Sequence, residues 1–307
     1  MGPAPAPMEP KPGVDRAGRV TIVFAAKTPA GYVTQLRRVS AKGTLGPAIT
    51  LSRPGLVGVP DVGVRPDGTA LVAWTEQTET LSRAVVIARP VSSRGHAGRP
   101  ITITDRAGRL GYTLPPAVLS GPHGPAAVTW TSEPQDGATI GRGYVRWVGR
   151  DQRLSRGYLA TSGPALGTID GQGTVTLLSQ SDSKAVRIPP GGRPGAARAI
   201  GTAGSLPGSF GAISASPDGH VLAGWTVQTL IGEPIPTRDT YTSYLAAYTP
   251  GPRGARTRRF RATTSSSTFG PARPCASHRR PGCRRRPSSW SVGAGRASAG
   301  PDAGRTC

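Results

Sequence analysis

Apolar side chains recur along this chain at every second position, in short runs that follow a glycine. Five such glycines, Gly18, Gly68, Gly124, Gly173 and Gly219, stand 50, 56, 49 and 46 residues apart. Two residues after each come Val20, Ala70, Ala126, Val175 and Val221, and four residues after come Ile22, Val72, Val128, Leu177 and Ala223. Six residues on stands an aromatic in four cases, Phe24, Trp74, Trp130 and Trp225, with Ser179 the exception. A period of two puts these side chains on one face of a β-strand. The opposite face is mostly small or apolar as well (Leu71 and Ala73, Ala127 and Thr129, Leu222 and Gly224). That double pattern predicts strands covered on both faces by neighbouring sheets.

The glycines themselves read as tight turns. Pro66-Asp67-Gly68 and Pro217-Asp218-Gly219 are the plainest cases, with Asp15-Arg-Ala-Gly18, Gly121-Pro-His-Gly124 and Gly171-Gln-Gly173 as variants. Proline presets the first turn position and glycine accepts positive φ. A partner strand precedes the second to fifth turns (Val62 and Val64, Val118, Ile169, Ile213 with Ala215). Further β-like runs follow at Ala84–Ala88, Pro100–Thr104, Gly143–Trp147 and Thr242–Ala246. No stretch carries a capped helical period over three turns. Three to four strands per repeat of about fifty residues is the content of one propeller blade. The expected fold class is all-β, a β-propeller of ~50-residue four-stranded blades, five of them legible and the parent six- or seven-bladed.

Val64-Arg-Pro-Asp-Gly-Thr-Ala-Leu-Val-Ala-Trp74 and Ala215-Ser-Pro-Asp-Gly-His-Val-Leu-Ala-Gly-Trp225 resemble the blade motif of β-propeller repeat proteins. The nearest kind are the often secreted propellers of GC-rich bacteria, distantly similar to sialidase-like propellers. The resemblance covers roughly residues 14–250 and implies the propeller architecture and an extracytoplasmic location. A well-kept packing pattern without any recurring catalytic pattern is what favours a non-enzymatic binding or scaffold module. Its partner would be a protein or glycan held at one propeller face. Because propellers host enzymes as well as passive platforms, a sialidase-like carbohydrate-processing enzyme is the alternative reading.

Composition changes the picture at the two ends. Glycine (43) and proline (32) are abundant, and arginine supplies nearly all the basic residues behind a net charge of +22. Residues 251–307 hold 13 arginines against a single acid, Asp302, and Val292 is their one Val, Leu or Ile. So few apolar groups cannot offset the cost of ordering a backbone, about 1–2 kcal/mol per residue. This tail is read first as out-of-frame translation of GC-rich DNA, then as a disordered extension, then as a basic arm. In the last case it would bind nucleic acid or another polyanion, with steep salt dependence. Residues 1–13 read as a Pro/Ala-rich linker without a secretory signal. No run of 18 apolar residues predicts a membrane-spanning helix. All three cysteines (Cys275, Cys283, Cys307) fall in the tail, so the blades are expected to use no disulfides.

No residue is assigned a catalytic, cofactor-binding or metal role. Trp74, Trp130 and Trp225 are expected to pack between blades, and Asp67 and Asp218 to hold turns. Glu76 and Glu133 end Trp-bearing strands and read as solvated rim charges, since a paired-carboxylate site needs the two groups about 5–10 Å apart. Arg187-Ile188-Pro189 matches a tripeptide of sialidases, but in the wrong repeat and without that family's Asp-box. His96, His123, His220 and His278 are scattered, and Cys275, His278 and Cys283 lack a fourth ligand at zinc spacing. Tyr241, Tyr244 and Tyr248 read as strand and loop packing.

Overall fold

In a computed structural model, residues 9–77, 84–104, 115–132, 141–179, 184–199, 210–231, 238–249 and 256–268 are described. Contacts divide the chain into a unit spanning Met1–Phe269 and a second, Gly270–Cys307, which lies outside the described residues. The described residues are all-β and form five antiparallel sheets, each corresponding to one blade.

Blade 1 runs β1 (Lys11–Val14), β2 (Val20–Thr28), β3 (Gly31–Val39) and β4 (Ile49–Thr50). Blade 2 comprises β5 (Leu56–Val57), β6 (Asp61–Val64), β7 (Ala70–Gln77), β8 (Ala84–Val91) and β9 (Ile101–Thr102). Its inner strand is broken in two: β6 pairs with the start of β7 and β5 with its end. Blade 3 holds β10 (Ala117–Ser120), β11 (Ala126–Ser132), β12 (Arg142–Val148) and β13 (Tyr158–Thr161). Blade 4 holds β14 (Ala165–Ile169), β15 (Val175–Ser179), β16 (Lys184–Ile188) and β17 (Arg198–Ala199). Blade 5 holds β18 (Phe210–Ala215), β19 (Val221–Ile231), β20 (Arg238–Thr249) and β21 (Arg256–Thr268). The first strand therefore begins inside the 1–13 segment, and the last lies beyond Pro250.

In each blade the four strands, called a to d from the inside out, follow chain order. Successive inner strands lie side by side, β1 against β6, β6 against β10, β10 against β14 and β14 against β18. This is the propeller arrangement of blades stacked face to face.

The two faces of each b-strand serve different neighbours. Ala70, Val72 and Trp74 pack with Val23 and Leu36 of blade 1, whereas Leu71 and Ala73 pack with Ala126, Val128 and Trp130 of blade 3. Ala127 and Trp147 of blade 3 join Val175, Leu177 and Ile188 of blade 4 in the same manner. Leu178 and Ala223 continue the series between blades 4 and 5. Burial of apolar area at about 25 cal/mol per Å² is thus concentrated at the seams between blades, not within any one sheet.

Candidate functional site

One hairpin turn recurs on one face, at both the a–b and c–d positions in blades 1 and 2, at a–b in blades 4 and 5, and at c–d in blade 3. At the a–b position, the N–H of the first turn residue donates to the carbonyl of the fifth, and the N–H of the fourth donates back to the first. The pairs are Asp15/Arg19, Arg65/Thr69, Asp170/Thr174 and Ser216/His220, with Gly18, Gly68, Gly173 and Gly219 as the fourth residues. The same bonds recur at the c–d position in Ser40–Thr44, Ser92–His96 and Gly149–Arg153. The fourth residue takes positive φ each time, including Gly43, Gly95 and the non-glycine Gln152 (φ 65). A side chain caps the fifth residue's N–H. Asp15, Ser40, Ser92, Asp170 and Ser216 do this from turn position one, and Asp67 and Asp151 from position three. The c–d turns escaped sequence reading because they lack Pro-Asp and a long apolar run after the glycine.

These turns meet across the seams. Arg16 N–H donates to the Pro66 carbonyl (3.3 Å) and Gly171 N–H to the Pro217 carbonyl (3.0 Å), so both Pro-Asp-Gly turns receive a bond from the preceding blade. Arg89 and Arg146 occupy equivalent c-strand positions, opposite Val72 and Val128. Each donates from Nε within its own blade, to Gly98 and Ser155, and from Nη1 to the preceding blade, at Leu51 (2.6 Å) and Ile103 (2.7 Å). Asp61 accepts the Val118 N–H of blade 3 at 2.7 Å.

A second c-strand position, one residue further on, decides how each seam is filled. It is occupied by Arg38, Pro90, Trp147 and Arg187, each paired with the residue three after the turn glycine. Arg38 reaches into blade 2 and donates to the carbonyls of Gly68, Ser92 and Ser93. Trp147 makes the corresponding contact with blade 4, its Nε1 donating to the Gly173 carbonyl at 3.3 Å. Arg187 instead binds Asp170 of its own blade at 2.8 Å. Pro90 can do neither.

The seam between blades 2 and 3 accordingly contains a cavity of about 270 Å³. Pro90, Arg65, Asp67, His96, Arg150 and Gln152 line it. The first a–b turn residue here is Arg65, where blades 1 and 4 place the acids Asp15 and Asp170. Both of those acids are buried. Asp15 accepts from the Ala17 and Arg19 N–H groups and from Arg19 Nε at 2.6 Å. Burial pushes its pKa up, but these donors outweigh burial and hold it below the usual carboxylate value. Arg65 Nε is buried without a hydrogen-bond partner. Desolvation, with the nearby charge of Arg150, pulls the Arg65 pKa down against the opposing effect of Asp67. Arg150 Nη2 lies 3.7 Å from Asp67 Oδ2.

The residues singled out in the sequence are dispersed. Trp74 and Trp130 are buried at seams; Trp74 Nε1 donates to Glu76 at 2.9 Å, and Trp130 stacks on Tyr144 at 5.5 Å. Glu76 is therefore engaged by its own strand. Asp67 is held by the Thr69 N–H and hydroxyl. Asp218 accepts from Ser216 and lies 3.2 Å from His220 Nε2. His123 is exposed on the blade 3 turn, and His96 is exposed at the mouth of the cavity. Trp225, Tyr241, Tyr244 and Tyr248 lie on β19 and β20, where Trp225 pairs with Tyr244. Glu133, Cys275, His278 and Cys283 lie outside the described residues. Among the described residues no three His, Cys, Asp or Glu side chains gather at metal-binding distance.

No family model and no curated protein matches the chain. Among solved structures it is similar to virginiamycin B lyase of Staphylococcus aureus (15% identity over 82% of this chain and 83% of that one, TM-score 0.46). It is also similar to the calcium-binding protein regucalcin of Agrobacterium tumefaciens (13%, 77% and 83%, TM-score 0.44). A third is an α-L-arabinofuranosidase of Fusarium graminearum (12%, 83% and 77%, TM-score 0.42). All three are β-propeller-like proteins, and the relationship to them is distant.

Proposed function

We propose that this chain is a non-enzymatic propeller whose recognition surface is the face formed by the b–c and d–a connections. One observation carries the reading. The a–b connection is five residues in every blade (15–19, 65–69, 121–125, 170–174, 216–220), and the c–d connection is nine in the first four (40–48, 92–100, 149–157, 189–197). On the opposite face the b–c connection varies from two residues (29–30) to nine (133–141), and the d–a connection from three (162–164) to fourteen (103–116). The fifth c–d connection is six residues (250–255), so length variation is concentrated on the other face, and that is how a rigid repeat scaffold carries a binding site. The carboxylates of Asp15, Asp61, Asp67, Glu76 and Asp170 are meanwhile all engaged by backbone or by neighbouring side chains.

The test pairs a glycan and protein array with a panel of chromogenic glycosides, both on the full chain. The expected result is a saturable ligand and no turnover. Shortening 133–141 to two residues should weaken or remove that ligand while leaving the thermal midpoint within a few degrees. Turnover that disappears in Glu76→Gln would overturn the reading.

A further inference from the structure

We propose that the seam between blades 2 and 3 is a binding site for a compact oxyanion, a phosphate or sulfate, gripped by Arg65 and Arg150 beside His96. The site lies on the constant-turn face, opposite the proposed recognition surface, and stands independently of that reading.

The proposal follows from comparing four equivalent seams. Where blade 1 meets blade 2, an arginine (Arg38) fills the crevice and satisfies three carbonyls, and the turn behind it begins with an acid (Asp15). Where blade 3 meets blade 4, Trp147 fills it. Blade 4 carries its arginine and acid as an internal pair, Arg187 with Asp170. Blade 2 has exchanged both: the acid position holds Arg65, and the filling position holds Pro90. The exchange leaves an open cavity of about 270 Å³ with cationic walls, where Arg38 and Trp147 fill the seams on either side. Blade 3 adds Arg150 from its own c–d turn, at the position where blade 2 has Ser93.

Two guanidinium groups line this one space, and like charges sharing it repel. Buried Arg65 Nε keeps an unused donor, a costly state in the absence of an acceptor. Asp67 offsets the charge only in part, because its Oδ1 is committed to Thr69 and its Oδ2 stands 3.7 Å from Arg150. A tetrahedral oxyanion matches two arginine forks in both charge and donor geometry. The volume leaves room for a substituent on the oxyanion, so the group could arrive free or as the terminus of a sugar phosphate.

The full chain is titrated calorimetrically with inorganic phosphate and, separately, with glucose 6-phosphate. The expected result is one saturable site that weakens at least tenfold in Arg150→Gln and in Arg65→Gln, and tightens severalfold in Asp67→Asn. Arg150 is largely exposed, so its variant keeps the fold even if the Arg65 variant does not. Saturation by both anions supports a free oxyanion; saturation by the sugar phosphate alone supports the terminal group of a larger ligand. Unchanged affinity in Arg150→Gln places any binding elsewhere on this basic chain and overturns the proposal, as does the absence of saturation by either anion.

Discussion

Gly68 stands where two blades touch, in a backbone conformation that favours glycine. Its φ is +81°, and an added Cβ would meet Asp15 Oδ2 at 2.9 Å and the Arg19 guanidinium closer still. Gly43 has the same backbone (φ +83°) with open space around it. Gly43→Ala should therefore cost about 1 kcal/mol in denaturant unfolding, from backbone strain alone, and Gly68→Ala about 2 kcal/mol because the Asp15–Arg19 pair must also move. Gln152 is the converse, a side chain in the conformation its sister turns give to glycine. Gln152→Gly should raise stability by roughly 0.5–1 kcal/mol. Two aspartates set opposite pH dependences. The depressed pKa of Asp15 means its stabilisation is present above the ordinary value of 3.8 and lost as pH falls through the folded value. Asp61 is raised by desolvation, against the Val118 and Val62 N–H bonds and Lys11. Its cost therefore appears as pH rises past 3.8 toward that raised value. Asp61→Asn, which keeps an acceptor for Val118, should raise the melting temperature at pH 7 and not at pH 3. Asp15→Asn should lower it at pH 7 and flatten its fall in acid.

At the scale of elements, Arg89 and Arg146 tie each c-strand to the outer end of the preceding blade. Arg146→Met should cost about 2 kcal/mol, since a charged hydrogen bond is lost and the Ile103 carbonyl is left without its donor. Amide exchange should speed up at β9 and Ile103 more than in the centre of β11. The b-strands and a–b turns were legible in the sequence because burial on both faces leaves an apolar signature, Ala70 to Trp74 being the clearest. Arg38, Arg89 and Arg146 were not legible. In a chain this rich in arginine, a staple and a solvated charge look alike until the register aligns them. The cavity had the same difficulty: Pro90 and Arg65 are unremarkable alone and acquire meaning only beside Arg38 and Asp15. The proposed tail boundary at Pro250 rested on composition, whereas β21 (Arg256–Thr268) pairs with β20 by a backbone ladder to which polar side chains are no obstacle.

For the whole molecule, the two propeller faces divide the work. One carries the five-residue a–b turns, two of which accept a hydrogen bond from the preceding blade, and the other carries the connections that vary most in length. The blades then form one cooperative body, because every large apolar cluster spans a seam. Residue-resolved hydrogen exchange on the full chain tests this most directly. The N–H groups of Arg16 and Gly171, which donate to Pro66 and Pro217 of the next blade, should share the slow exchange of β7, β11 and β15. Those two amides exchanging at unprotected rates while the sheets stay protected would contradict it, for the blades would then be folded but not joined through this face.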